Sequence, residues 1–403
     1  MSGHEPRLLI YSQDGLGLGH MRRTTLLARE FLRRLPGASA LTMSDSPLGQ
    51  FFTTAPGHDY LKLPSIRKDG PGRWSAVSLS SSFQEVLRLR TEVIASTIAS
   101  YDPHVLLVDH MPHGAMGELL PALRGLDGRR PRVVLGLRDI IDAPETVRRR
   151  WAAEGAYDAL EEFYDEVLVY GSRDVYDVAA EYSWPAASAA RLTYCGYVCA
   201  PAHHRARAVA GALWRRDEGP PRVLVLAGGG ADAFPMFDAV LSSVPDVRAQ
   251  TGAEFFLVTG PFMPERDVRE LKRRALDLPA TEVRRKIHGG GRVARADLVV
   301  SMAGYNTTGE LLGAGTPALL VPRRGPSAEQ RTRARLFAER GWVHRVDPDL
   351  LGPGSMSEAI VTGLTEPPRA DTAPDLGGRA VAAIHLMAGI GAASTPALET
   401  LAT

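Results

Sequence analysis

A chain of 403 residues, 44% hydrophobic and 23% charged, is too long for one ordinary core and about right for two α/β domains of roughly 200 residues each. Its 47 lysines and arginines balance 46 acidic residues at a net charge of +1, which excludes a whole-molecule field for nucleic acid or membrane and leaves any anionic ligand to a local site. The only cysteines, Cys195 and Cys199, lack a second pair or a metal-type histidine spacing, so a disulfide framework and a zinc ribbon are excluded and a reducing compartment fits.

The amino-terminal residues run from a charged start through a short apolar strand into a glycine turn, with no signal-peptide core. No run of 18 apolar residues occurs. The expected location is the cytoplasm, with no transmembrane segment and membrane contact at most peripheral. Residues 7–12 read as a buried strand, 15–19 as a tight turn, and 20–35 as a helix with Ala28, Leu32 and Leu35 on one face, stopped by Pro36 and Gly37. Residues 64–82, rich in Gly, Ser and Pro without an apolar period, read as a long mobile loop. Short apolar strands follow at 105–108, ending at Asp109, at 133–137, ending at Arg138 and Asp139, and at 167–170, before Gly171.

Unalternating apolar strands separated by helical stretches argue for a parallel sheet covered on both faces. The pattern breaks at residues 194–201, the expected linker, and then restarts. Strands are expected at 223–226 before Gly228, Gly229 and Gly230, at 255–258 before Gly260, at 298–300 before Gly304, and at 318–321 before Pro322. The expected fold class is therefore α/β with two doubly wound, Rossmann-like domains, residues 1–199 and 200–370. A tail, 371–403, carries an apolar helical stretch at 378–390 that packs back on the first domain and frays after 393.

In open α/β sheets, ligands sit beyond the carboxyl ends of the strands at the switch point, which is where each glycine cluster falls. Gly17 and Gly19 follow the first strand of one domain, and Gly228, Gly229 and Gly230 the first strand of the other. Such turns let backbone N–H groups and a helix N-terminus approach phosphate oxygens, although a tight turn with close packing accounts for either cluster equally. The first is no clean dinucleotide fingerprint: His20 follows its third glycine, and Asp45 is the nearest acidic candidate. That weighs against a dehydrogenase.

The richest segment is 296–312. A strand ends in a turn at Gly304, a helix begins near Asn306, and Gly315 stops it. Its N-terminus offers N–H groups to a diphosphate, and Glu310, one turn in, is spaced for ribose hydroxyls. Thr307-x-x-Glu310 also has the form of a capping box, in which the glutamate bonds only the helix start. His20 is a candidate to take a proton from an acceptor hydroxyl or, alternatively, a helix cap. Asp109, His110 and His113, at another strand end, are rival candidates for that base. Arg138 and Asp139 read as a structural ion pair or an acceptor contact. Asp347-Pro348-Asp349 has the outline of a metal-binding DxD motif but reads as a turn, so no metal is expected.

Residues 296–330, with 15–22, 109–114, 136–142, 194–198 and 228–230, resemble the peptidoglycan lipid-linked N-acetylglucosamine transferase (MurG, family 28) group and its GT-B relatives. An uncharacterised branch of predicted bacterial glycosyltransferases resembles them more closely still. The resemblance is specific towards the C-terminus and looser elsewhere. It implies GT-B architecture, with the two domains facing across a cleft, and an inverting glycosyltransferase without cofactor. The donor is expected to be a nucleoside-diphosphate sugar of the UDP type, and the acceptor a hydroxyl of a small molecule or lipid.

By position, the resemblance puts Gly304, Asn306 and Thr307 at the phosphates, Glu310 at the ribose, and Glu329 with Gln330 at the sugar, where the family carries two glutamines; Tyr305 is expected among the donor-binding residues. His20 matches the family's N-terminal histidine. A nucleotide-sugar hydrolase or 2-epimerase on the same fold, and a non-catalytic sugar-nucleotide-binding protein, are the alternatives. The acceptor is expected near the 64–82 stretch and Arg88 and Arg90. Those two alternate with Leu87 and Leu89 either as a trace of a membrane-facing patch or as a helix with two exposed arginines.

Overall fold

A short run that is apolar on both faces has no side to offer water, so each such run here becomes an interior strand of a parallel sheet. The computed structural model describes residues 5–13, 19–47, 55–70, 73–126, 131–200, 219–286, 293, 295–368, 374–388 and 390. The chain divides into two compact units: Met1–Asp139, Pro144–Val198 and Gly377–Thr403 form one, Ile140–Ala143 and Cys199–Leu376 the other.

The strands of the first unit are β1 (Arg7–Ser12), β2 (Ser39–Ser44), β3 (His58–Lys62), β4 (Ile66–Gly70), β5 (Arg73–Ala76), β6 (Val105–Asp109), β7 (Arg132–Arg138), β8 (Glu166–Tyr170) and β9 (Leu192–Tyr194). A seven-stranded parallel sheet has the order β3-β2-β1-β6-β7-β8-β9. The chain builds outward from β1 to β3, then returns to lay β6 on the other side of β1. Strand order therefore reverses between β1 and β6, where Ser12 lies opposite Asp109. The helix Gly19–Arg34 covers this sheet with Met21, Leu27, Ala28 and Phe31, and ends on Arg33 and Arg34, which favour the carbonyl end of its dipole. The helix Gly378–Met387 packs on it. There Arg379 lies 3.4 Å from Glu30, and His385 Nδ1 lies 2.8 Å from Glu166. The tail thus joins the first unit from Gly377, not from 371, and the positions beyond 393 lie outside the described residues.

The 64–82 stretch is not a loose loop. β4 and β5 pair antiparallel, and Ile66 is buried against Val86 and Ala115. The cause is a buried ionic network centred on Arg90, which is fully buried rather than exposed. Arg90 donates to both Glu118 oxygens, from Nε at 2.6 Å and Nη2 at 2.5 Å, and from Nη1 to the Pro64 carbonyl at 2.5 Å. Tyr11 donates to Glu118 at 2.5 Å, and Asp45 lies 3.5 Å from Arg90. The network fastens the start of the hairpin to β1 and to the helix Phe83–Tyr101. That helix opens with a capping box of Ser82 and Glu85. Of the arginines at 88 and 90, Arg88 alone is exposed, so the two do not form one surface patch.

The second unit contains β10 (Arg222–Leu226), β11 (Glu254–Val258), β12 (Thr281–Arg284), β13 (Leu298–Ser301), β14 (Ala318–Leu320) and β15 (His344–Arg345), in the order β12-β11-β10-β13-β14-β15 with every pairing parallel. Its order reverses between β10 and β13. Val223, Val225, Leu257 and Val300 meet Phe237, Val240, Met356 and Ile360 in its core. No helix among the described residues is long and apolar enough to cross a membrane.

Two outcomes follow from the buried polar groups of the first unit. Glu118→Ala strands Arg90 without its main counter-charge, and denaturant titration should register a loss of about 3–5 kcal/mol. His58, on β3, is buried beside Thr42 at 2.9 Å, and burial together with Arg29 lowers its pKa to about 4. The unfolded imidazole, near 6.5, binds a proton that the folded one refuses, so this contribution is complete above pH 6.5 and is lost as pH falls towards 4. The fall is expected to be up to about 3 kcal/mol smaller in His58→Gln, read as denaturation midpoints against pH.

Candidate functional site

In each unit the reversal of strand order leaves the carboxyl ends of two neighbouring strands uncovered, and chemistry-bearing residues gather there. In the first unit these ends belong to β1 and β6. His20 stands in the first turn of the helix after β1, and Asp109 is the last residue of β6. They are far apart in sequence, yet His20 Nδ1 lies 2.5 Å from Asp109 Oδ2.

A proton on Nδ1 donates to this carboxylate. Asp109 is fully buried and also paired with Arg23, Nη2 to Oδ1 at 2.7 Å. Burial alone would raise its carboxyl, but Arg23 and then His20 outweigh it and hold the group below the usual carboxylate range.

His110 follows at φ 78°, a left-handed backbone rarely held by a side-chain-bearing residue, with its N–H on the Gly136 carbonyl at 2.8 Å. Its ring centroid lies 5.3 Å from that of His20. Burial first, then Arg138 and His20, push its pKa well down, so it is a neutral imidazole. His113 is buried, with Nδ1 donating to the Gly114 carbonyl at 2.7 Å. Asp139 is buried, and a side chain at Gly171 would collide with it. Among the candidates of this unit, His20, Asp109 and His110 come together. Gly17 lies outside the described residues, and Gly19 is the first residue of the helix.

In the second unit the reversal brings Gly228, Gly229 and Gly230 after β10 beside the turn after β13. The three glycines face different ways. At Gly230, φ is 87° and an added Cβ would run into the Thr259 carbonyl, so this position serves backbone packing against the end of β11. Gly229 lies against Phe262. Gly228 alone faces the next helix, where an added Cβ would lie 3.9 Å from Thr307 Oγ1.

That helix, Tyr305–Ala314, has Gly304 as its N-cap, with no side-chain cap bond. Thr307 is inside the helix, not at its cap, so Thr307 and Glu310 do not form a capping box. Asn306, Thr307 and Glu310 are half-buried on one side of the helix, whereas Tyr305, Thr308 and Gly309 face inward. At Gly309 the helix presses on Cys199, whose Sγ would collide with a Cβ there. No group of three or more His, Cys, Asp or Glu placed to hold a metal occurs among the described residues.

Tyr305 and Glu329 are both buried. Glu329 pairs with Arg333 at 2.9 Å, and the same Arg333 nitrogen donates to the Ala303 carbonyl at 2.8 Å. The Arg333 guanidinium also lies over the Tyr305 ring, 5.6 Å from its centroid. This pair therefore anchors the turn preceding Gly304. Gln330 holds the loop before its own helix, its Oε1 accepting from Arg323 N at 3.2 Å, and Asp142 accepts from Ala328 N at 2.8 Å at the start of the helix Glu329–Glu339. Sequence reasoning misses Arg333 and Asp142. It also misses Arg23, although the three-residue spacing from His20 on one helix face carries that signal.

Residues 223–380 match the glycosyltransferase family 28 C-terminal domain. A UDP-N-acetylglucosamine–N-acetylmuramyl-(pentapeptide) pyrophosphoryl-undecaprenol N-acetylglucosamine transferase of Methylorubrum populi is 28% identical over 155 residues, which is 38% of this chain and 42% of that protein. The matches to it and to its counterparts from Ralstonia nicotianae and Mycobacterium bovis span 22–42% of those proteins' lengths.

Among solved structures, Acinetobacter baumannii MurG aligns over 94% of this chain and 95% of its own, with TM-score 0.58 and 14% identity. A Listeria monocytogenes protein described as a UDP-N-acetylglucosamine 2-epimerase aligns over 96% of both chains, with TM-score 0.61 and 13% identity. At such identities the likeness establishes the fold, two Rossmann-like units of the GT-B type. The chain thus has the GT-B fold, and its residues 223–380 are similar to the glycosyltransferase family 28 C-terminal domain.

Proposed function

We propose that this protein is an inverting glycosyltransferase that moves a sugar from a nucleoside-diphosphate sugar, of the UDP type, to a hydroxyl of a small-molecule or lipid acceptor. The observation that carries the reading is the start of the helix Tyr305–Ala314 at the switch point, with Gly304 as its N-cap, Gly228 facing Thr307, and Asn306, Thr307 and Glu310 on one half-buried side. The backbone N–H groups and positive dipole end of a helix start suit a diphosphate, and a carboxylate one turn on suits ribose hydroxyls.

In this reading the second unit binds the donor and the first takes the acceptor's proton. His20 Nε2 accepts that proton as the acceptor oxygen bonds to the anomeric carbon. The bond from that carbon to the phosphate oxygen breaks, and the nucleoside diphosphate departs with its electron pair, its charge met by the helix N-terminus. The proposed reaction uses no metal or cofactor. Gln330 is the better candidate for the sugar, because Glu329 is committed to Arg333.

The fold shared with the 2-epimerase-type protein supports a second reading, in which the donor sugar itself or water replaces the acceptor. Incubation with UDP-sugars alone separates the two. Slow or absent turnover is expected, and rapid release of free sugar or of a new UDP-sugar epimer would overturn acceptor transfer.

Glu310→Ala is expected to weaken UDP binding about 10- to 100-fold by calorimetry, since hydrogen bonds to a charged group are lost. The melting temperature should stay within a few degrees; a large drop with affinity intact would make Glu310 a structural residue. His20→Ala should lower kcat about 10²- to 10⁴-fold while donor affinity holds, measured by turnover and by calorimetry on the same preparation.

A further inference from the structure

The second unit contains an open pocket of about 410 Å³, within the size range of small-molecule sites, that the proposed transfer does not use. Met302, in the turn after β13, and Val321, just past β14, line it with Met236 from the helix Phe234–Thr251 and Leu351 from the loop before the helix Pro353–Thr365. Asn306, Thr307, Glu310 and Gln330 are not among its lining residues. The pocket is therefore a different place from the diphosphate site, although Met302 stands only two residues before Gly304.

The apolar walls suit the body of a ligand, and the mouth selects its head. Arg323 and Arg324 stand there side by side. Arg323 Nε is buried and finds no acceptor among the described residues, and Nη1 makes one long bond, to Asp232 at 3.3 Å, where both side chains are partly exposed. Arg324 donates from Nε to the Pro348 carbonyl at 2.9 Å and lies 3.8 Å from Asp349. Asp238, which also lines the pocket, is paired with Arg274 of the helix Glu265–Ala275.

A buried guanidinium N–H without an acceptor is costly, so Arg323 is set to receive an oxygen. Its planar fork matches a carboxylate or a phosphate. Ala233 and Gly352, the N-caps of the helices Phe234–Thr251 and Pro353–Thr365, line the same pocket, so two positive dipole ends add to the preference for an anion.

We propose that this pocket binds a small amphipathic anion, with its apolar body on Met236, Met302, Val321 and Leu351 and its carboxylate or phosphate oxygens on Arg323. The site is separate from the donor site, and the proposal stands whether or not the protein transfers a sugar.

Octanoate and octyl phosphate are the probes, with octanol as the body without a charge and inorganic phosphate as a head without a body. Calorimetry on the full chain should give a Kd of about 1 mM or tighter for at least one of the two anions, and methyl-labelled NMR should show Met236 and Met302 responding to it. The tighter anion names the head group. Octanol and inorganic phosphate should bind at least about tenfold more weakly, and Arg323→Met should weaken the anion about tenfold or more while UDP affinity holds. Leu351→Trp, which fills the pocket, should abolish binding of the anion.

No response of Met236 and Met302 to either anion, octanol binding as tightly as the anions, or an Arg323→Met protein that binds as the native does overturns the proposal. Displacement of the anion by UDP also overturns it, because the two ligands then share one site. If Leu351→Trp does not fold, Arg323→Met and octanol decide.

Discussion

In a parallel sheet every strand must be reached from the same end, and each right-handed crossover lays its helix on one face. Where the strand order reverses, successive crossovers leave for opposite faces, and the strand ends between them stay uncovered. Both units depend on this constraint. It puts Ser12 beside Asp109 in one sheet and the ends of β10 and β13 side by side in the other. The sites are therefore consequences of chain topology before they are consequences of any particular side chain.

The first unit handles buried charge in two ways. Around Arg90 the donors and acceptors are closely matched by Glu118, Tyr11, Asp45 and the Pro64 carbonyl. The work of that cluster is to hold a hairpin of weak composition against β1. Around Asp109 the same ingredients include an imidazole. The carboxylate then has two claimants, Arg23 and His20. The non-glycine residue with a left-handed backbone next to Asp109 fits a place where structure is held for chemistry.

Much of this was legible in the sequence. β1, β6, β7, β8, β10, β11, β13 and β14 announce themselves because strands buried on both faces must be apolar throughout. β2 and β3 do not: Thr42 and His58 are buried polar groups that partner each other across the two strands, and Ser44 is buried with its hydroxyl accepting from Ser46 N. The hairpin is hidden for the same reason, since Ser, Gly and Pro suggest a loop until Arg90 is seen underneath. At the candidate site, residue types and spacing identify His20, Asp109 and the Gly304 turn, but not the bond between His20 and Asp109. Glu329 shows the opposite limit. Its place in a motif says nothing of direction, and a neighbour one helical turn away at Arg333 draws it inward.

The contact between Gly309 and Cys199 has a consequence for how this protein can vary. The helix Tyr305–Ala314 rests on a sulfur atom where its own side chain is missing, so positions 199 and 309 occupy a single shared volume. A methyl group gained at 309 must be matched by atoms lost at 199, or the helix axis moves outward and carries the N–H groups at its start with it. Two residues 110 positions apart, neither of them polar at the surface, thus set the depth at which an anion would meet the helix.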